Sequence, residues 1–243
     1  MPMKTLIIPD IHLKPQIFAD AKRIMSDESC DIAVCLGDIA DDWGNQQNLG
    51  LYEKTYDAAI NFAKTFPETL WCYGNHDLSY EYDEWETGFS IMAVPVVKEK
   101  LAELRKSLPD TSQIAIIHRI DNILFSHAGV IRSFVREYCS TKAQRDPDAM
   151  IWEINTLGKY FLWKDHSPIW ARPQYPRYAD DLYRPRASFQ VVGHTPMKEP
   201  TQTDNLLSCD VFSTYRDGKP IGTCEFVIIE TENTAWYKVP AHI

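Results

Sequence analysis

Five times along the chain an apolar run stops at a cluster of carboxylate, amide or imidazole residues, and this recurrence constrains the fold more than any one motif does. Lys4 to Pro9 delivers Asp10-Ile11-His12, and Asp31 to Leu36 delivers Gly37-Asp38-Ile39-Ala40-Asp41-Asp42. Thr69 to Tyr73 delivers Gly74-Asn75-His76-Asp77. Ile123 onward ends in Ser126-His127-Ala128-Gly129, and Ser188 to Val192 ends in Gly193-His194-Thr195-Pro196. Short runs rich in β-branched and aliphatic residues read as buried strands. The polar clusters have little to offer a core, so they belong just beyond the strand ends. Of seven histidines, His12, His76, His127 and His194 stand there, whereas His118 reads as a strand or hairpin residue and His242 as a terminus.

The intervening segments supply helices. Ile17, Ala21, Ile24 and Met25 share one face of a helix predicted over 16–29, and Tyr52, Tyr56, Ala59, Ile60 and Ala63 one face of a helix predicted over 51–65. Strands alternating with helices imply a parallel α/β sheet whose site lies beyond the carboxyl ends of its strands. Tyr80 to Trp85 is expected as a loop or lid, and Val97 to Ser107 as a helix. Ile114–Ile117 and Ile123–Ser126 form an expected hairpin about Asp121-Asn122. Residues 130–158 should be mostly helical, with Asp146 as an N-cap before Pro147. Trp, Tyr, Pro and Arg crowd residues 160–187, which implies an irregular insert folded over the site. Asn205–Phe212, Thr223–Ile229 and Thr234–Val239 are expected to close the chain as antiparallel strands.

With 243 residues and 44% apolar composition the chain can bury a large core, and it is read as one domain over 1–243. No segment approaches the roughly 18 apolar residues of a membrane span. The start, Met1-Pro2-Met3-Lys4, lacks signal-peptide features, so a cytoplasmic protein without membrane partners is expected. Six cysteines without a C-x-x-C pair are expected to be reduced. A net charge of −9 argues against a protein that grips duplex nucleic acid, but leaves room for an acidic substrate if cations sit in the site.

The clusters themselves suit metal chemistry. Residues two apart on extended backbone can face the same way, so Asp10 and His12 converge on one point. Asp38, Asp41 and Asp42 crowd three carboxylates into five residues, and a cation resolves their repulsion. Taken as an ordered set over the whole chain, the five clusters resemble the motifs of the calcineurin-like metallophosphoesterase superfamily. The Ala-Gly after His127 and the Pro after His194 look more like its phosphoprotein phosphatase branch, which includes bacterial and phage members and diadenosine tetraphosphate hydrolases, than its nuclease or cyclic-nucleotide branches.

That resemblance implies a four-layer α-β-β-α sandwich of two mixed sheets with a dinuclear centre at the strand carboxyl ends. It implies that Asp10, His12 and Asp38 hold one metal, and that Asp38 bridges to a second held also by Asn75, His127 and His194. Two divalent or trivalent ions are expected, manganese first, with iron and zinc as alternatives. The implied reaction is phosphomonoester hydrolysis by a metal-bridging hydroxide, on a phosphoprotein or a small phosphoester. His76 would protonate the leaving oxygen with Asp41 orienting it, and Arg172 in Ser167-Pro168-Ile169-Trp170-Ala171-Arg172 would clamp the phosphate, as would Asn75. Asp42 departs from the branch, which carries arginine there, so Arg177, Arg184 or Arg186 becomes a candidate replacement. Two other functions fit the same clusters. One is hydrolysis of nucleotides or dinucleoside polyphosphates, with the aromatic insert stacking a base. The other is a metal-bound scaffold without catalysis, for which an acid at His76 has no use.

Overall fold

A computed structural model describes residues 3–178, 180–183 and 188–242. The first half runs β1 (Lys4–Ile8), α1 (Gln16–Asp27), β2 (Ile32–Cys35), α2 (Leu49–Thr65), β3 (Leu70–Cys72), α3 (Asn75–Tyr82), α4 (Val94–Ser107) and β4 (Ile114–Ala115). Then come β5 (Ile117–Ile120), β6 (Ile123–Ser126), α5 (Arg132–Tyr138), α6 (Pro147–Asn155) and α7 (Lys159–Leu162). The chain ends with β7 (Phe189–Val192), β8 (Thr201–Thr203), β9 (Leu206–Ser208), β10 (Glu225–Glu230) and β11 (Trp236–Pro240).

Two mixed sheets result, one of six strands in the order β11-β10-β1-β2-β3-β4 and one of five in the order β5-β6-β7-β9-β8. β1 to β4 are parallel, with Thr5 opposite Ile32 and Ile8 opposite Cys35, and β10 joins β1 antiparallel. In the second sheet β6, β7 and β9 are parallel, and β5 and β8 are antiparallel edges.

The two-residue period of the strands sorts the core into layers. Leu6, Ile8, Ala33 and Cys35 face outward onto α1, α2 and α4, where they meet Ile17, Phe18, Tyr56 and Leu101. The alternate residues Ile7, Val34 and Leu36 face inward and pack against Ile123, Phe125, Val191 and Leu207 of the second sheet. Leu124 points away from that interface toward Phe134, Met150, Ile154 and Leu162 of α5 to α7. The arrangement is thus helix, sheet, sheet, helix, and the carboxyl ends of β1, β2, β3, β6, β7 and β9 gather on one side. Among the described residues, no helix is long and apolar enough to cross a membrane.

Four local expectations need correction. Tyr80 to Tyr82 belong to α3, whose end is set by Asp83 in the left-handed region at φ 53°, so the loop begins later than expected. The run Ile114–Ile117 is not one strand: β4 pairs with β3 while β5 starts the second sheet. The Asn155 side chain holds this switch, accepting from Ile116 N at 3.2 Å and Ile117 N at 2.9 Å and donating to Ile117 O at 3.0 Å. The Asn205–Phe212 run yields only β9, parallel to β7, and beyond it Asp210 accepts from Ser213 N and Oγ across a bend. The short polar edge strand β8 carries no apolar signal and went unanticipated. The Asp121-Asn122 turn and the Asp146 cap, which accepts from Asp148 N at 3.1 Å, are as expected. Residues 159–178 hold only α7 and a 3-10 turn over Pro176–Tyr178, an irregular segment as expected. Arg184 and Arg186 lie outside the described residues.

Candidate metal centre

The loops after β1, β2, β3, β6 and β7 meet at one place. His127, fully buried at the end of β6, has its Nδ1 2.9 Å from the Leu36 carbonyl oxygen at the end of β2. A carbonyl only accepts, so Nδ1 carries a proton, and in the neutral imidazole that leaves the lone pair on Nε2. That nitrogen lies 2.9 Å from Asn75 Oδ1, 3.0 Å from His194 Nδ1 and 3.3 Å from Asp38 Oδ2. Four atoms with ligand character thus crowd together, with too few protons to bridge them.

His12 repeats the device. Its Nδ1 donates to the Asp41 carbonyl at 2.9 Å, and its Nε2 lies 3.9 Å from the same Asp38 Oδ2. A backbone carbonyl behind each imidazole sets the tautomer and the ring direction, which is the second-layer arrangement typical of histidine ligands. Ligand atoms of Asp38, His127 and His194 lie within 4.8 Å of one another, and so do those of His12, Asp38 and His76. Asp38 belongs to both groups. Asp10, 1% exposed, accepts from His194 N through Oδ1 at 2.9 Å, and that oxygen lies 4.0 Å from His127 Nδ1. Its Oδ2 is buried without a protein partner, as is His194 Nε2.

Backbone shape makes room for these groups. Asp38, Asp41, His12 and His194 all adopt positive φ, between 44° and 65°, an uncommon conformation that a packed surround must hold. A Cβ on Gly74 would overlap Asp38 Oδ1, and one on Gly193 would overlap Asp10 Oδ2, so each glycine leaves space for a carboxylate. Asp77 ties the loops together. Its Oδ2 accepts from Asp38 N at 2.8 Å and Gly74 N at 3.0 Å, and its Oδ1 from Ile39 N at 3.0 Å.

The electrostatics are those of a site built around positive charge. Burial, reinforced by Asp210, drives the Asp10 carboxyl well above its usual range. Asp38 goes the other way: burial alone would raise it, but His127, His76 and His12 hold it far below the carboxylate range. Burial lowers His12, and burial with His127 lowers His194 well below the usual imidazole value. Burial would also lower His127, yet Asp38 and Asp10 lift it to about 9. Buried carboxyl and imidazole groups that share one point and pull one another's charge states so far apart fit a divalent or trivalent cation of the manganese, iron or zinc type, which would take the place of those protons.

Beside this cluster stands an acid–base pair. His76 Nδ1 lies 3.0 Å from Asp41 Oδ2, and Asp41 Oδ1 accepts from Tyr52 Oη at 2.8 Å and Tyr80 Oη at 2.5 Å. Burial would lower the His76 imidazole, but Asp38 and Asp41 raise it to about 9. His76 therefore has its ring held by a carboxylate that two phenols fix in turn. His12 and His76 meet edge to face at 5.2 Å. His12, Asp38, Asp41, Asn75, His76 and His194 border a cavity of about 440 Å³ that also receives Arg172, whose Nη1 donates to His194 O and Thr195 Oγ1, each at 3.1 Å.

The structure thus brings together Asp10, His12, Asp38, Asp41, Asn75, His76, His127, Arg172 and His194. Arg177 does not border the cavity and instead lies 4.8 Å from the Tyr178 ring centroid. A sixth strand end, that of β9, also reaches the site and was not foreseen. It brings buried Asp210, bonded to Ser213 Oγ at 2.9 Å, together with Thr214 and Arg216. The signal was there in Leu206-Leu207-Ser208-Cys209-Asp210, an apolar run ending in an acid, but without a histidine to mark it.

Comparison with known proteins bears on the family and the fold. A family model described as calcineurin-like phosphoesterase matches residues 3–198. Among solved structures, the cold-active protein-tyrosine phosphatase of the psychrophile Shewanella sp. superposes with a TM-score of 0.58 at 14% identity, covering 98% of this chain and 80% of that one. A second structure described as a cold-active protein tyrosine phosphatase gives a TM-score of 0.54 at 14% identity over 98% of this chain and 79% of that one. At such identity these likenesses speak for the fold alone. No curated protein matches the chain in sequence.

Proposed function

Because the chain belongs to the calcineurin-like phosphoesterase family, we propose that it is a dinuclear metal-dependent hydrolase of phosphomonoesters. One observation carries this reading: the ligand atoms of Asp38, Asn75, His127 and His194 crowd together within hydrogen-bonding range of His127 Nε2, beside a His76–Asp41 pair 3.0 Å apart. Asp10, His12 and Asp38 would hold one ion, and Asp38, Asn75, His127 and His194 the other. Bound there, the ions supply Lewis-acid polarisation of the phosphoryl oxygens and an acidified water.

The chain's own residues do the rest. Arg172 is anchored by one nitrogen on His194 O and Thr195 Oγ1, so its remaining donors can face phosphate oxygens in the cavity. Asn75 offers its amide nitrogen to the same phosphate. As the water oxygen bonds to phosphorus and the ester bond breaks, the departing oxygen needs a proton, and His76 supplies it from Nε2. Asp41 holds the other ring nitrogen and stabilises the imidazolium, and Tyr52 and Tyr80 keep that carboxylate from turning away. His76 fits an acid better than a ligand, since Nδ1 is committed to Asp41.

The test is a panel containing an aryl phosphomonoester, a phosphodiester and a dinucleoside polyphosphate, run with manganese and with chelator. Manganese-dependent hydrolysis with preference for the monoester is expected. Preference for the polyphosphate would favour a nucleotide hydrolase, and turnover of none would favour a scaffold.

A further inference from the structure

The cavity receives a second guanidinium that the roles above leave unused. Arg216 stands in the hairpin after β9, closed by Tyr215 N donating to Lys219 O at 2.8 Å and Gly218 N to Tyr215 O at 2.9 Å. It borders the same cavity as His76, Arg172 and His194. Its guanidinium carbon lies 4.8 Å from the Trp43 ring centroid, and among the described residues it makes no ion pair.

Trp43 is itself fixed to that hairpin. Its Nε1 donates to Thr214 O at 3.0 Å, and Thr214 Oγ1 donates to Asp42 Oδ1 at 3.1 Å. Lys14 Nζ lies 3.3 Å from Asp42 Oδ2, so that carboxylate is already engaged by a different cation. A guanidinium resting on an indole face keeps its in-plane N–H donors free for oxygen acceptors while losing side-chain freedom. Such an arginine, oriented, unpaired and bordering a cavity, is suited to an anion.

We propose that Arg216, propped on Trp43, is a second phosphate-binding residue, and that together with Arg172 it selects a dianionic terminal phosphate over a phosphodiester. The proposal rests on the phosphoesterase reading and narrows its substrate. A terminal phosphate carries between one and two negative charges near neutral pH and three free oxygens, whereas a diester carries one charge and two such oxygens. A second guanidinium therefore adds more to binding of the monoester.

The experiment compares wild type with Arg216→Ala, Arg216→Lys and Trp43→Leu, all loaded with manganese. The substrates are an aryl phosphomonoester and the matching bis-aryl diester, with inorganic phosphate as competitive inhibitor. For Arg216→Ala the monoester KM and the phosphate inhibition constant should rise together by about tenfold, the scale of one charge-assisted contact, with kcat within about threefold. Diester kcat/KM should hardly move. Arg216→Lys should recover part of the loss and Trp43→Leu should reproduce part of it. Unchanged KM and inhibition constant in Arg216→Ala, with active wild type, would overturn the proposal. Should wild type hydrolyse neither ester, the phosphoesterase reading fails. Calorimetric titration with inorganic phosphate then still decides the clamp, equal affinity of wild type and Arg216→Ala overturning it.

Discussion

Asp77→Asn probes how the site loops are held, because one buried carboxylate accepts four backbone N–H groups from two of them, with the Ala40 bond the longest at 3.5 Å, and the Tyr56 hydroxyl besides. An amide has a single acceptor oxygen. In its better orientation the oxygen replaces Oδ2 and keeps Asp38 N and Gly74 N, leaving Ile39 N, the shorter of the two Oδ1 bonds, and the more distant Ala40 N facing an NH₂ group. An orphaned buried donor costs about 1–3 kcal/mol, and loss of charge assistance in the two surviving bonds adds about 1 kcal/mol each. Against this, burial and the Asp38 charge raise the Asp77 carboxyl to about 6, so removing that charge offsets part of the loss. The net expectation is a destabilisation of about 2 kcal/mol. Asp77→Ala, which orphans all four backbone donors, should cost more. Urea unfolding in chelator at neutral pH reads this directly: with a slope near 3 kcal/mol/M the midpoint falls by about 0.7 M. An unchanged or higher midpoint for both variants would refute the reasoning.

Other outcomes follow from the same geometry. Gly193→Ala pushes a Cβ into Asp10 Oδ2, so it should lower metal content while leaving the circular dichroism spectrum native. Asp38→Asn should lower metal occupancy and activity together, as expected of a residue shared by both ligand groups. His76→Ala should keep its metal and lose turnover by about 10²-fold; loss of metal instead would refute its role as acid. Tyr80→Phe removes a donor 2.5 Å from Asp41 Oδ1 and should lower kcat about fivefold, the equivalent of about 1 kcal/mol, without changing metal content.

Much of the site was legible because its residues contradict their neighbours. Asp10, Asp38, His127 and His194 each follow strand residues that are almost wholly apolar, and a charged or imidazole side chain there needs a reason. The alternation of strands and helices then put all of them on one side. Groups that act through position were not legible. Asp77 looks like any helix-start acid until its four backbone donors are seen. Tyr52 and Tyr80 lie on helices, where an apolar face explains them equally well, and only the structure shows their hydroxyls meeting at Asp41. The switch at Ile116 between sheets leaves no trace in a continuous aliphatic run, since either sheet would accept those residues. Arg216 sits in a polar turn that carries no local mark of function, and it reaches the cavity only because Trp43, 173 positions earlier, lies beneath it.

As proposed, Asp10, His12, Asp38, Asn75, His127 and His194 would hold a pair of cations. The most direct test of this is the metal stoichiometry of chelator-stripped protein titrated with manganese, read by calorimetry and by elemental analysis of the desalted product. Two ions per chain, falling to one in Asn75→Ala with the fold retained, is the predicted result. A chain that takes up none of manganese, iron or zinc would contradict it.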